Sequence, residues 1–146
     1  MNPMIPYLVA FAIDLWSSRW GRPPGQHRRD EIVAIAEDVA STDSEPLEAL
    51  QLMNIAAWES NYERNGRPGP GGERGAFQVH PPASSYGAKE ALWRLRNQGI
   101  WGYMGCRVVT ERCVAMADRR TFPAELYLWS HDPPATSVQE VVALDP

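Results

Sequence analysis

The chain has 146 residues, 44% of them hydrophobic and 22% charged, the balance of one folded domain long enough to bury a real core. Its formal charge is −4 with no long basic block, which excludes the clustered positive face that duplex nucleic acid requires. Thirteen prolines and eleven glycines predict many loops, and six tryptophans exceed what a core of this size asks for.

The first apolar run, Met4 to Ile13, is closed by Asp14. It lacks the Lys/Arg-rich start and small-residue cleavage pattern of a secretory signal, and it is too short to span a bilayer. We read a packed first helix over Ile5 to Trp16, apolar nearly all round, with membrane targeting as the alternative. Ser17 to Gln26, carrying Gly21, Pro23, Pro24 and Gly25, reads as a connector, and Arg19, Arg22, Arg28 and Arg29 as a scattered, solvated basic surface. Asp30 to Ala40 repeats Ile32, Ile35, Ala36 and Val39 at helical spacing, with Asp30 and Glu31 expected in its first turn. Ser44 is expected to cap the next helix and Pro46 to fit its first turn. That helix, Leu47 to Trp58, is apolar on all sides, the mark of a buried central helix, and it delivers Glu59. Asn65 to Gly75 is a glycine- and proline-rich loop. Lys89 to Gln98 is helical again, with Gly99 and Gly102 expected to break it. A helix from Thr110 to about Arg119 and a short one from Thr121 through Trp129 follow, then a polar tail from His131. Strand signal is confined to Phe77, Gln78 and Val79. The expected class is all-α or nearly so, one domain over 1–146 with N-terminal helices in 1–44, a catalytic core in 45–130 and a tail in 131–146.

Cys106 and Cys113 would stand roughly 10 Å apart on one continuous helix, too far for a disulfide, so they read as reduced packing residues unless a helix starts between them. His27, His80 and His131 lack metal-ligand spacing, and no Gly-Lys-Ser/Thr or Gly-x-Ser-x-Gly motif is present.

Glu59 is the strongest candidate for chemistry. Burial beside Trp58 and the partial negative charge at a helix C-terminus both disfavour its anion, and a carboxyl that keeps its proton near neutral pH can serve as a general acid. The competing reading is an exposed Glu paired with Arg64. Gln78 offers both a donor and an acceptor to sugar hydroxyls and acetamido groups, and Gly72 and Gly75 would let backbone approach a bound chain. Tyr86, Trp93, Trp101 and Tyr103 could line a glycan groove, with core packing as the default for each.

Glu59-Ser60, followed by Gly72-Glu73-Arg74-Gly75-Ala76-Phe77-Gln78-Val79-His80-Pro81, resembles the Glu-Ser and Gly-x-x-Gly-Leu-Met-Gln-x-x-Pro signatures of soluble lytic transglycosylases and goose-type lysozymes. The resemblance covers roughly Leu47 to Pro82. It implies a lysozyme-like helical domain with Glu59 as catalytic acid, Ser60 and Gln78 in the sugar-binding groove, and no cofactor or metal. Glu73 then resembles the auxiliary acid of the goose type, its alternative role being an ion pair with Arg74 or Arg64; His80 falls where a second auxiliary Asp would stand and cannot do that job. The family's Tyr-Asn pair has as its candidates Trp129-Ser130, with Tyr127 one turn away, a departure from the pattern. The implied substrate is the glycan backbone of peptidoglycan, outside the cytoplasm. With no convincing export signal, a phage-borne enzyme or release by another route is the expectation, with a virion or cell-envelope assembly as a partner. The rival is a non-catalytic glycan-binding or structural module of a phage tail or cell-wall machine.

Overall fold

A computed structural model describes residues 4–104. Four helices follow in chain order, α1 (Met4–Trp20), α2 (Gln26–Ala40), α3 (Pro46–Ser60) and α4 (Ala88–Met104), and no strand forms among the described residues. The described fold is all-α. The one β feature is an isolated antiparallel bridge between Arg74 and Val79, which closes the glycine-rich loop on itself. The expected helices beyond Thr110, the tail, the two cysteines, Tyr127, Trp129, Ser130 and His131, and the side chains of Trp101 and Tyr103, lie outside the described residues.

The central-helix expectation holds. On α3, Ala49, Leu50, Leu52, Met53, Asn54, Ile55 and Ala56 are all fully buried, so this helix is covered on every side. It packs against α1, α2 and α4, whereas α1 and α4 do not touch. Around it the core gathers Leu8, Phe11, Ile32, Ile35, Val39, Phe77 and Leu92. Pro46 takes the first turn as expected, but the cap is Glu45 rather than Ser44. Its side chain accepts from the backbone of Glu48, and the Glu48 carboxylate accepts in turn from the Glu45 amide at 2.9 Å. Ser44 is instead buried, its hydroxyl 2.9 Å from that of Thr42.

Three helix boundaries differ from expectation, and for α1 and α2 the difference has a tertiary cause. α1 continues through Ser17 to Trp20, because Arg19 and Trp20 find partners on α3. It also buries one face only, Leu8, Phe11, Ala12, Leu15 and Trp16, while Pro6, Ala10 and Asp14 are exposed. α2 begins at Gln26, so Asp30 and Glu31 fall in its second turn and its first turn holds no acid. The residues Gln26 to Arg29 have little apolar character, yet Arg28 donates to the Tyr62 carbonyl at 2.6 Å and lies over the Trp16 ring at 5.1 Å. Arg28 is thus a partly buried structural cation, and Arg19, though exposed, is tied to α3. α4 runs on through Gly99 and Gly102, although each glycine costs a helix about 1 kcal/mol relative to alanine. No helix of the described residues is long and apolar enough to cross a membrane.

Two polar clamps fix α4 against the rest. The Asp38 carboxylate of α2 accepts from the Ala88 amide at 2.9 Å, capping α4 from another element. Arg96 forks onto both Glu48 oxygens at 2.8 and 2.9 Å, joining α4 to the start of α3 and holding the Glu48 carboxyl below its ordinary range.

Candidate active site

The site begins with how α3 ends. Asn61 takes the left-handed conformation at φ 56°, and the Asn61 and Tyr62 amides return to the Ala57 and Ala56 carbonyls at 3.1 and 3.2 Å. Tyr62 follows at φ 57° with its side chain 1% exposed, a buried wedge under the turn. Two consecutive non-glycine residues in this region are uncommon, and surrounding contacts must hold them there. The Arg28 bond to the Tyr62 carbonyl is one such contact. Ser60 is another local fastener: its hydroxyl donates to the Ala56 carbonyl at 3.0 Å and accepts from the Glu63 amide at 3.1 Å. The hydroxyl expected to meet substrate is therefore engaged in closing the helix.

Glu59 stands half-buried in the last turn of α3. Its pKa is raised from 4.5 to about 7, first by burial and second by the negative charge of Glu73. Arg64, the cation expected to compete for it, instead donates through Nε to Glu31, a carboxylate only 5% exposed. With Arg64 drawn to α2, no ion pair among the described residues neutralises Glu59.

Glu73 reaches the site from the loop between α3 and α4. Its Oε2 accepts from the Gly71 amide at 2.9 Å and its Oε1 lies 3.1 Å from His80 Nδ1. Its own backbone amide, the His80 ring and the Gly71 amide all favour the anion and hold the carboxyl below its ordinary range. The alternative reading of Glu73, an ion pair with Arg74 or Arg64, does not form; Arg74 lies over the Tyr86 ring at 5.6 Å. His80, set aside in the sequence, is thus the side chain that fastens Glu73.

Gln78 lies half-buried in the same loop at φ 48°. Its amide nitrogen donates to the Gly75 carbonyl at 3.0 Å, which leaves Oε1 and the second N–H for a ligand. A Cβ on Gly69 would collide with Glu73 Oε2 and come within 3.1 Å of Gln78 Oε1, so both polar groups converge on that glycine. Gly75 has a different reason from the one expected. At φ 80° its Cβ would stand 2.5 Å from the Tyr86 carbonyl, so the close approach is to the protein's own backbone. Phe77 and Val79, each 1% exposed, anchor the loop in the core on either side of Gln78.

Tyr86 is half-buried against Gly75 and with Ile35, Asp38, Arg64 and Phe77 lines a hollow of about 290 Å³. Trp93 is exposed on α4 and lines a different hollow with Thr42, Leu92 and Arg96.

One further group of potential ligands was not apparent from the sequence. His27 and Glu31, one helical turn apart on α2, meet Glu63 so that one atom from each lies within 4.8 Å of the others. Arg28 is 3.1 Å from Glu63 and Arg64 is paired with Glu31, so two guanidiniums already balance the two carboxylates. The His27 hydrogen bond leads the influences that hold Glu63 below its ordinary range. This set suits an ion-pair network that ties α2 to the turn after α3, and a cation would have to displace both arginines.

The arrangement combines a carboxyl of raised pKa at a helix end with an ionised carboxylate and an amide side chain that share a glycine-framed loop. No family model matches the chain, and no curated protein or solved structure is detectably similar to it.

Proposed function

We propose that the chain is a peptidoglycan-cleaving glycosidase of the lytic transglycosylase or lysozyme kind, acting on the β-linkage between N-acetylmuramic acid and N-acetylglucosamine. The observation that carries this reading is the carboxyl of Glu59, unpaired at the end of a buried helix and holding its proton to about pH 7. In this reading Glu59 gives that proton to the glycosidic oxygen as the bond to C1 breaks and positive charge develops on the sugar ring. Two outcomes follow from the same start. If the ionised Glu59 then removes a proton from the muramic acid 6-hydroxyl, that oxygen closes on C1 and an anhydro end results. If water attacks instead, Glu73 takes its proton in this reading, and a reducing end results. Gln78 Oε1 accepts from a sugar hydroxyl or acetamido N–H, and Ser60 serves by fixing the turn that aims Glu59. The reaction so written uses no metal or cofactor. The place of action is the cell wall, with a virion or cell-envelope assembly as carrier.

Zymography on purified cell walls tests the proposal. Wild type should clear the wall and Glu59→Gln should not; equal clearing by the two proteins, or none by either, overturns the enzyme reading. Mass spectrometry of the released fragments then separates anhydro ends from reducing ends.

A further inference from the structure

The end of α3 that carries Glu59 is also where the last turn of α1 arrives. Trp20, the final residue of α1, is 45% exposed. Its indole is nonetheless held: Nε1 donates to Asn61 Oδ1 at 3.1 Å, and Asn61 is the residue that caps α3 two positions after Glu59. The largely buried Trp16 ring supports it, centroids 5.6 Å apart. The Arg19 guanidinium lies 5.1 Å from the Trp20 ring centroid and 4.5 Å from that of Trp58, the neighbour of Glu59 in the chain. Arg19 also donates to the Ala57 carbonyl at 3.0 Å, which fixes its charge at this helix end. A large ring left facing solvent adds little to the core, yet this one has its orientation set by a hydrogen bond, a supporting ring and a cation. Trp93 is more exposed, at 57%, but no described residue holds its indole N–H.

We propose that Trp20, Arg19 and Trp58 form a carbohydrate-stacking subsite at the end of α3 that carries Glu59, which takes a pyranose ring of a carboxylate-bearing amino-sugar chain on the solvent-facing part of the Trp20 ring. The proposal rests on the reading of Glu59 as the acid of a glycan-cleaving site and names where the neighbouring sugar of that chain lies. The apolar C–H face of a pyranose matches the indole face in shape and polarity, and a ring already fixed loses little entropy on binding. The Arg19 charge favours a sugar that carries a carboxylate over a neutral one.

The test measures binding of soluble, peptide-free peptidoglycan glycan strands to Glu59→Gln protein, which can bind without cutting, with neutral chitooligosaccharides as the comparison. Trp20→Ala in that background should weaken binding about tenfold, the equivalent of one lost stacked ring. Trp20→Phe, which keeps a flat face but loses the Asn61 bond, should fall between the two. Arg19→Gln should abolish the preference for carboxylate-bearing strands over the neutral oligosaccharide. Melting curves for each variant confirm that it is folded. Wall cleavage by wild type, together with undiminished strand binding by Trp20→Ala and Trp20→Phe, overturns the subsite and leaves the Glu59 reading standing. Absence of both cleavage by wild type and strand binding by Glu59→Gln overturns both.

Discussion

Arg64 pairs with the buried Glu31 of α2 and so leaves Glu59, five residues before it in the chain, without an ion pair. The cation goes to the more deeply buried carboxylate, where an unpaired charge would be far more costly. Glu59 responds by keeping its proton, and Glu73 strengthens that response from across the loop. The acid character of Glu59 therefore depends on Glu31 of α2 and on Arg64 and Glu73 of the segment between α3 and α4.

The first prediction concerns stability. The folded pKa of Glu59 lies above its unfolded value, so between about pH 4.5 and 7 the native state binds more protons than the unfolded one, and stability falls as pH rises through that window. Glu59→Gln should remove this loss. Because solvent reaches part of the carboxyl, the gain at pH 8 should be on the order of 1–2 kcal/mol, vanishing by pH 4. Urea denaturation of both proteins at the two pH values reads it directly; an equal difference at both would mean that Glu59 does not titrate as described.

Activity should carry the same signature. A general acid works only while protonated, so wall cleavage should decline on the alkaline side with a midpoint of about 7. Glu73→Gln removes the negative charge that helps to raise Glu59, and the midpoint should move to lower pH. If water is the nucleophile, Glu73→Gln should also lower the rate at the optimum by about a hundredfold or more, whereas a transglycosylase should keep most of its rate. An unmoved midpoint in Glu73→Gln would show that the two carboxyls are not coupled.

Removing Arg64 exposes what it compensates. Arg64→Ala leaves Glu31 charged and buried and should destabilise the protein by about 2–4 kcal/mol at neutral pH. Combining it with Glu31→Gln should recover a large part of that loss, since the orphaned charge is gone. Thermal melts of the two single variants and the double variant provide the cycle, and strict additivity would contradict the pairing.

Gly75→Ala should be among the most damaging small substitutions in the loop. It places a Cβ 2.5 Å from the Tyr86 carbonyl at a backbone with φ 80°, and a loss of about 2–4 kcal/mol is expected. Gly66→Ala, whose Cβ would meet only Glu63 side-chain carbons at 3.6 Å, is the control and should change the melting temperature little.

Asp38→Ala removes the carboxylate that caps α4 from α2 and should cost about 1 kcal/mol. Amide exchange at Ala88 checks it, because that amide loses its acceptor; unchanged protection would rule out the cap.

What could be read from the chain depended on how local each cause is. α3 was legible almost to its ends because Pro46 starts it and nearly every following residue is apolar. The Glu59 and Gln78 positions were legible because the words around them are distinctive, and the loop between them announced itself by its glycines and prolines. The start of α2 was not, since Gln26, His27, Arg28 and Arg29 look like solvated polar residues. Arg28 and His27 are committed to Tyr62 and Glu63, more than thirty residues away. His80 failed as a stand-in for an acid in the sequence, and its use as the fastener of Glu73 appears only once the loop is closed by the Arg74–Val79 bridge.

By itself, then, the sequence determined the helical class, the buried central helix and the carboxyl at its tip, because hydrophobic periodicity and proline and glycine placement act over a few neighbouring residues. Only the tertiary structure decided which cation goes to which carboxylate, which side chain holds Glu73, and that Arg19 and Trp20 come to stand against Trp58 and Asn61 at the end of α3. Those outcomes turn on burial and on distances between residues far apart in the chain, and electrostatic strength follows both.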